Sequence, residues 1–205
     1  MTHELELNRI DACFKRLKAE HKKGFVAYIT AGDPSLAATV DMVLRLEDAG
    51  ADVIELGVPF SDPLADGRVN QDASTRALKA GANLQGVFEA VRKIRRRSEA
   101  PLVLFTYLNP LLTPSFEKNM ASAKAAGVDG VLTLDLPVEE NASCIRSLYR
   151  HHLDNISLVT PTSPDERIRR IVKYATGFVY CVSREGVTGM QTTLSPSAAK
   201  LHRRT

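Results

Sequence analysis

Glu55 is the first residue whose type and position suggest chemistry. It lies inside the apolar run Asp52–Val58 (DVIELGV), and Asp62 and Asp66 follow it in the loop VPFSDPLADGRVNQDAS. A carboxylate inside an apolar strand needs a partner, or its pKa climbs; left charged and unpaired it costs several kcal/mol. Two carboxylates held in different surroundings are a common way to separate an acid role from a base role. Pro59, Pro63 and Gly67 stiffen the loop between them. The plainer reading, a Glu at a strand edge meeting solvent or an Arg, stays open on spacing alone.

Other chemistries fit poorly. His3, His21, His151, His152 and His202 fall at no strand C-terminus, and the adjacent His151 and His152 point to different sides of a helix. No G-x-S-x-G elbow, Walker loop or dinucleotide fingerprint occurs. The segment Ser183–Gly189 (SREGVTG) has the composition of a loop whose backbone N–H groups could hold an anion, although such loops are as often plain turns. Carboxylate catalysis, without metal or redox cofactor, is what these residue types allow.

Elements that would position Glu55 can be read from periodicity. Short β-rich runs at 24–30, 52–58, 101–107, 130–135, 155–160 and 177–183 alternate with helical patterns at 36–49, 73–80 with 84–95, 116–126, 139–151 and 165–174. Strand–helix alternation implies parallel strands joined by right-handed crossovers, and the near-continuous apolar runs fit a sheet buried on both faces. Gly50, Gly81 and Gly127 mark helix ends. The interval between the second and third strands is nearly twice the others and holds the acidic loop, where α/β proteins keep their chemistry.

With 205 residues, 44% apolar and 25% charged, the chain can bury one substantial core, and its 12 Gly, 10 Pro and 3 Cys exclude disordered, collagen-like and disulfide-dense classes. A net charge of +3 is too small to argue for nucleic acid. The run 92–97 (RKIRRR) reads as a solvated helix C-terminus complementing the helix dipole. Cys13, Cys144 and Cys181 form no C-x-x-C pair, so they read as small buried or half-buried hydrophobes of a cytoplasmic protein. No stretch is long and apolar enough to suggest a membrane span, and no linker divides the chain.

The segments FVAYITAGDPS (25–35), DVIELGVPFSDPLADG (52–67), VDGVLTLDLPVEE (128–140), PTSPDERI (161–168) and GFVYCVSREGVTG (177–189) closely resemble the tryptophan synthase alpha chain family. The resemblance implies a (β/α)₈ TIM barrel, here a single incomplete domain over 1–205 with six of the eight βα units. It implies a lyase that splits indole-3-glycerol phosphate into indole and glyceraldehyde 3-phosphate. It also implies an alpha2-beta2 assembly, in which the beta subunit takes the indole onward and carries the pyridoxal phosphate; the alpha chain itself needs no cofactor.

Carried onto this sequence, the family's general acid/base falls on Glu55 and its second carboxylate on Asp66. The substrate-binding positions fall on Tyr28, Phe105, Tyr107, Leu132, Leu158, Tyr180, Thr188 and Gly189. The partner-facing positions are Asp62, Pro63, Asn109, Pro110 and Pro137. Arg68-Val69-Asn70 departs from the family's usual residues: Asn70 brings an amide to the pocket that needs a partner, and Arg68 replaces a stiffening Pro, loosening the hold on Asp66. Leu134 replaces a Pro or small residue. The family's last two strands carry most of its phosphate-binding backbone, and they have no counterpart before Thr205. Turnover by the isolated chain is therefore expected to be slight. Two other readings stay open: an impaired chain that only binds a beta subunit, or another barrel enzyme of the same pathway, which would have no use for the SDPLADG loop.

Overall fold

The computed structural model describes residues 8–182 and Leu201. Its elements run α1 (Arg9–Ala19), β1 (Val26–Thr30), α2 (Leu36–Asp48), β2 (Val53–Gly57), α3 (Arg68–Lys79), α4 (Leu84–Arg95), β3 (Leu102–Thr106), a 3₁₀ turn (Asn109–Leu111), α5 (Phe116–Ala126), β4 (Gly130–Thr133), α6 (Ala142–Arg150), β5 (Asp154–Val159), α7 (Asp165–Tyr174) and β6 (Val179–Cys181). Ser35, Asn83 and Ser115 cap α2, α4 and α5 by accepting from Ala38, Gly86 and Lys118 N–H groups. Gly127, at φ 102°, ends α5 in a left-handed conformation that suits glycine.

The described strands are all parallel and pair in the order β1-β2-β3-β4-β5-β6. A doubly wound sheet would reverse its order at a switch point; this one never does, so it is the arc of a (β/α) barrel. Strands β2 to β5 bury two faces. Ile54, Leu56, Leu102, Leu104 and Val131 pack outward against Val43, Val87, Phe88, Val91 and Met120 of the surrounding helices. Val53, Val103, Leu132 and Ile156 turn inward, joined by the half-buried Val26, Phe105, Leu134, Leu158 and Phe178. Each large apolar side chain buried this way is worth about 1.5–3 kcal/mol.

The N-terminal end of the barrel interior is closed by α1, an element that the periodicity reading did not identify. Ile10, Cys13 and Leu17 join the inward-facing strand residues in one cluster. Three polar anchors hold the helix down: Asn8 donates to Asp154, Arg9 pairs with Asp129 at 3.0 Å, and Arg16 pairs with Asp52 at 3.0 Å. Gly130 makes room for it, since a Cβ there would stand 3.0 Å from Ile10 Cδ1.

Two further differences have physical reasons. Helix α3 starts at Arg68, a turn and a half before the expected 73, because Gly67 adopts the extended N-cap conformation and Arg68 pairs with Asp72 along the first turn. Arg95 is not part of a solvated cationic end. It donates to the carbonyls of Gly127 and Ala100 and pairs with Asp129 at 2.6 Å, tying α4 to the starts of β3 and β4. No described helix is long and apolar enough to cross a membrane.

Candidate active site

Glu55 occupies the middle of β2, where every residue is buried. The register sets it beside Tyr28 of β1 and Val103 of β3, on the inward face. Only 3% of Glu55 is exposed, and its Oε1 finds no hydrogen-bond partner among the described residues. Burial alone pushes its pKa up to about 7. The group is therefore divided between acid and carboxylate near neutral pH, as proton transfer in both directions requires.

Asp66 reaches the same end of the barrel from the loop after β2. It is buried, and three neighbours hold it. Tyr107 donates to its Oδ2 at 2.9 Å, Gln71 Nε2 donates to its carbonyl at 2.8 Å, and Asn70 Nδ2 lies 3.5 Å from its Oδ1. The Tyr107 hydroxyl also accepts the Ala65 N–H at 2.9 Å, and its ring packs on Phe60 with centroids 5.2 Å apart. The loop is thus stapled to the end of β3. Burial and the Asp66 carboxylate keep the Tyr107 phenol firmly protonated, as a donor must be. Asn70 has its partner, and Arg68, exposed and engaged with Asp72, leaves Asp66 well held.

An apolar wall completes the cup. Tyr28 and Phe105 meet edge to face at 5.0 Å, and Leu132 and Leu158 stand on the same inward face. Farther along, a cavity of about 380 Å³ opens beside Leu134, Pro137 and Leu158, lined also by Asp135, Asn155 and Arg167; neither Glu55 nor Asp66 lines it. The inner face thus sets one carboxyl among apolar side chains, poised to exchange protons, with a second carboxyl anchored at the rim.

A family model for tryptophan synthase alpha chains matches residues 14–204. The chain belongs to that family. It is 51% identical over 195 residues to the tryptophan synthase alpha chain of Solibacter usitatus (strain Ellin6076), covering 95% of this chain and 73% of that one. The alpha chain of Geobacter sulfurreducens is 49% identical over 193 residues, covering 94% and 73%. Among solved structures, tryptophan synthase subunit alpha from Legionella pneumophila str. Paris superimposes with a TM-score of 0.84 at 42% identity, over 85% of this chain and 67% of that one. A chain of the tryptophan synthase a2b2 complex from Pyrococcus furiosus gives 0.83 at 42% identity, over 88% and 73%. The alpha-chain family are carbon–carbon lyases of tryptophan biosynthesis, and the barrel arc found here is their fold.

Within this alpha-chain frame, the sequence-predicted residues fall as follows. Glu55, Asp66, Tyr28, Phe105, Tyr107, Leu132 and Leu158 gather at the inner face and its C-terminal rim. Tyr180 of β6 pairs in register with Leu158; it is 39% exposed, and the Glu55 charge contributes to raising its pKa after burial. Thr188 and Gly189 lie outside the described residues. Asp62 and Asn109 are exposed and Pro63, Pro110 and Pro137 half-buried, all on loops at the C-terminal ends of strands. Sequence reasoning missed the grip of Gln71 and Asn70 on Asp66. Their positions four and five residues on, at the start of a helix, were the available signal.

Proposed function

We propose that this chain cleaves indole-3-glycerol phosphate through Glu55 and Asp66, with residues 1–205 belonging to one barrel domain. The observation that carries the assignment is Glu55 itself: a buried carboxyl with no partner at Oε1, titrating near neutrality, on the inner wall of an apolar cup.

The acid form of Glu55 gives its proton to C3 of the indole ring. Positive charge then develops at the ring nitrogen, and the Asp66 carboxylate accepts the ring N–H and stabilises it. The Glu55 carboxylate next takes the proton of the side-chain hydroxyl. The O–H electrons form the aldehyde C=O, while the carbon–carbon bond breaks and its pair returns to the ring. Indole and glyceraldehyde 3-phosphate result, and Glu55 ends protonated, as it began. Tyr28, Phe105, Leu132, Leu158 and Tyr180 form the indole slot, and Thr188 and Gly189 complete the substrate side. Remote phosphate binding helps position the reacting carbon, so rate depends on how much of it the chain provides.

The chemistry is carboxylate chemistry, and pyridoxal phosphate belongs to a beta-subunit partner in an alpha2-beta2 assembly. Asp62, Pro63, Asn109, Pro110 and Pro137 face that partner. Two strongly exposed apolar side chains beside them, Leu64 at 76% and Leu112 at 48%, support this surface. The proposed setting is the cytoplasm.

Indole release measured under single-turnover conditions tests the assignment. Glu55→Gln should lower it by about 100-fold or more, and Asp66→Asn by about 10-fold or more. Equal release by wild type and Glu55→Gln would refute the role of Glu55.

A further inference from the structure

The tip of the Tyr28 ring lies directly over Gly57. A Cβ on Gly57 would collide with the Tyr28 hydroxyl and stand 2.7 Å from Cζ, so the phenol occupies space that only a glycine leaves. The register explains this placement: Tyr28 pairs with Glu55, Thr30 with Gly57, and Gly57 in turn with Phe105, against whose ring Tyr28 sets its edge. Among the described residues the Tyr28 hydroxyl has one hydrogen-bond neighbour, Thr30 Oγ1 at 3.3 Å, and either oxygen can donate. With Thr30 donating, the phenol proton is free for another acceptor. Both Asp66 and Glu55 raise the Tyr28 pKa, after burial, to about 12, so the oxygen sits within the field of both carboxylates and keeps its proton at any working pH.

Resting on the proposed cleavage of indole-3-glycerol phosphate, we propose that the Tyr28 hydroxyl is a specificity-determining donor that hydrogen-bonds the hydroxylated side chain of the substrate. The ring of the substrate has a donor, its N–H, which Asp66 takes; it offers a phenol no lone-pair acceptor in the slot. The side-chain hydroxyl oxygens are acceptors. The one that yields its proton must lie against Glu55, the residue paired with Tyr28. Tyr28 therefore discriminates the side chain, while its ring and Phe105 grip the indole.

The test measures dissociation constants for indole-3-glycerol phosphate and for 3-(indol-3-yl)propyl phosphate, which lacks the side-chain hydroxyls. Glu55→Gln serves as a background without turnover, with and without Tyr28→Phe. Tyr28→Phe should weaken the hydroxylated ligand about 5- to 10-fold and leave the propyl phosphate within about twofold, a result that also shows the pocket is folded. Equal weakening of both ligands, or no change in either, overturns the inference. If neither ligand binds the Glu55→Gln chain, the functional reading beneath it fails instead.

Discussion

Glu55 and Tyr107 illustrate opposite ways to handle a buried polar group. Glu55 is left without a partner at Oε1 and its pKa climbs to about 7; Tyr107 is satisfied twice, donating to Asp66 and accepting from Ala65. The folded state holds the Glu55 proton more tightly than the unfolded chain does. Its relative stabilisation is therefore full below the ordinary carboxylate range and is lost as pH rises through about 7. Glu55→Gln removes this penalty, so the variant should be more stable at pH 8 by about 3 kcal/mol, with the gain vanishing near pH 4. Urea unfolding at the two pH values checks it. Tyr107→Phe strips Asp66 Oδ2 and the Ala65 N–H of their partner. A stability loss of about 1–3 kcal/mol and a kcat/KM loss of about 10-fold are expected from denaturation and steady-state assays. The two carboxylates were legible because acidic residues in an apolar run and a proline-stiffened loop stand out. The Tyr107–Asp66 contact was not, since it joins residues 41 positions apart through the fold.

At the level of elements, the floor of the barrel depends on α1. Its apolar face is small and set among charged residues, so its helical pattern is faint in sequence; the strands that complete it are Val53, Val103, Leu132 and Ile156, far along the chain. The acid that anchors this floor is Asp129, 1% exposed, which accepts from Arg95, Arg9 and the Leu102 N–H. Asp129→Ala would leave two cations without their shared carboxylate, one of them largely buried. A loss of about 3–5 kcal/mol is expected, read as a lowered urea midpoint. The six strands and most helix bounds were legible because their apolar runs are uninterrupted and their caps are Ser, Asn and Gly. The start of α3 was not, since Arg68-Val69-Asn70-Gln71 carries no apolar period and the helix is set by Gly67 and by local pairing.

Across the whole molecule, strand–helix alternation alone fits both a barrel and a doubly wound sheet. The sequential strand order decides between them, and in sequence only the family motifs pointed to it. The loops at the C-terminal ends of the strands carry the proposed site and the proposed partner surface together. Leu64→Asp, at a side chain 76% exposed, should weaken beta-subunit binding about 10-fold or more while shifting the stability of the free chain by less than about 0.5 kcal/mol. Titration calorimetry and thermal melts separate the two effects. The most direct measurement is the pH dependence of kcat/KM for indole release between pH 6.5 and 9, which reports ionisations of the free enzyme. With Glu55 acting first as an acid, kcat/KM should fall as pH rises through about 7, and this falling limb should disappear in Glu55→Gln. A flat or rising profile across that range in the wild-type chain would contradict the mechanism.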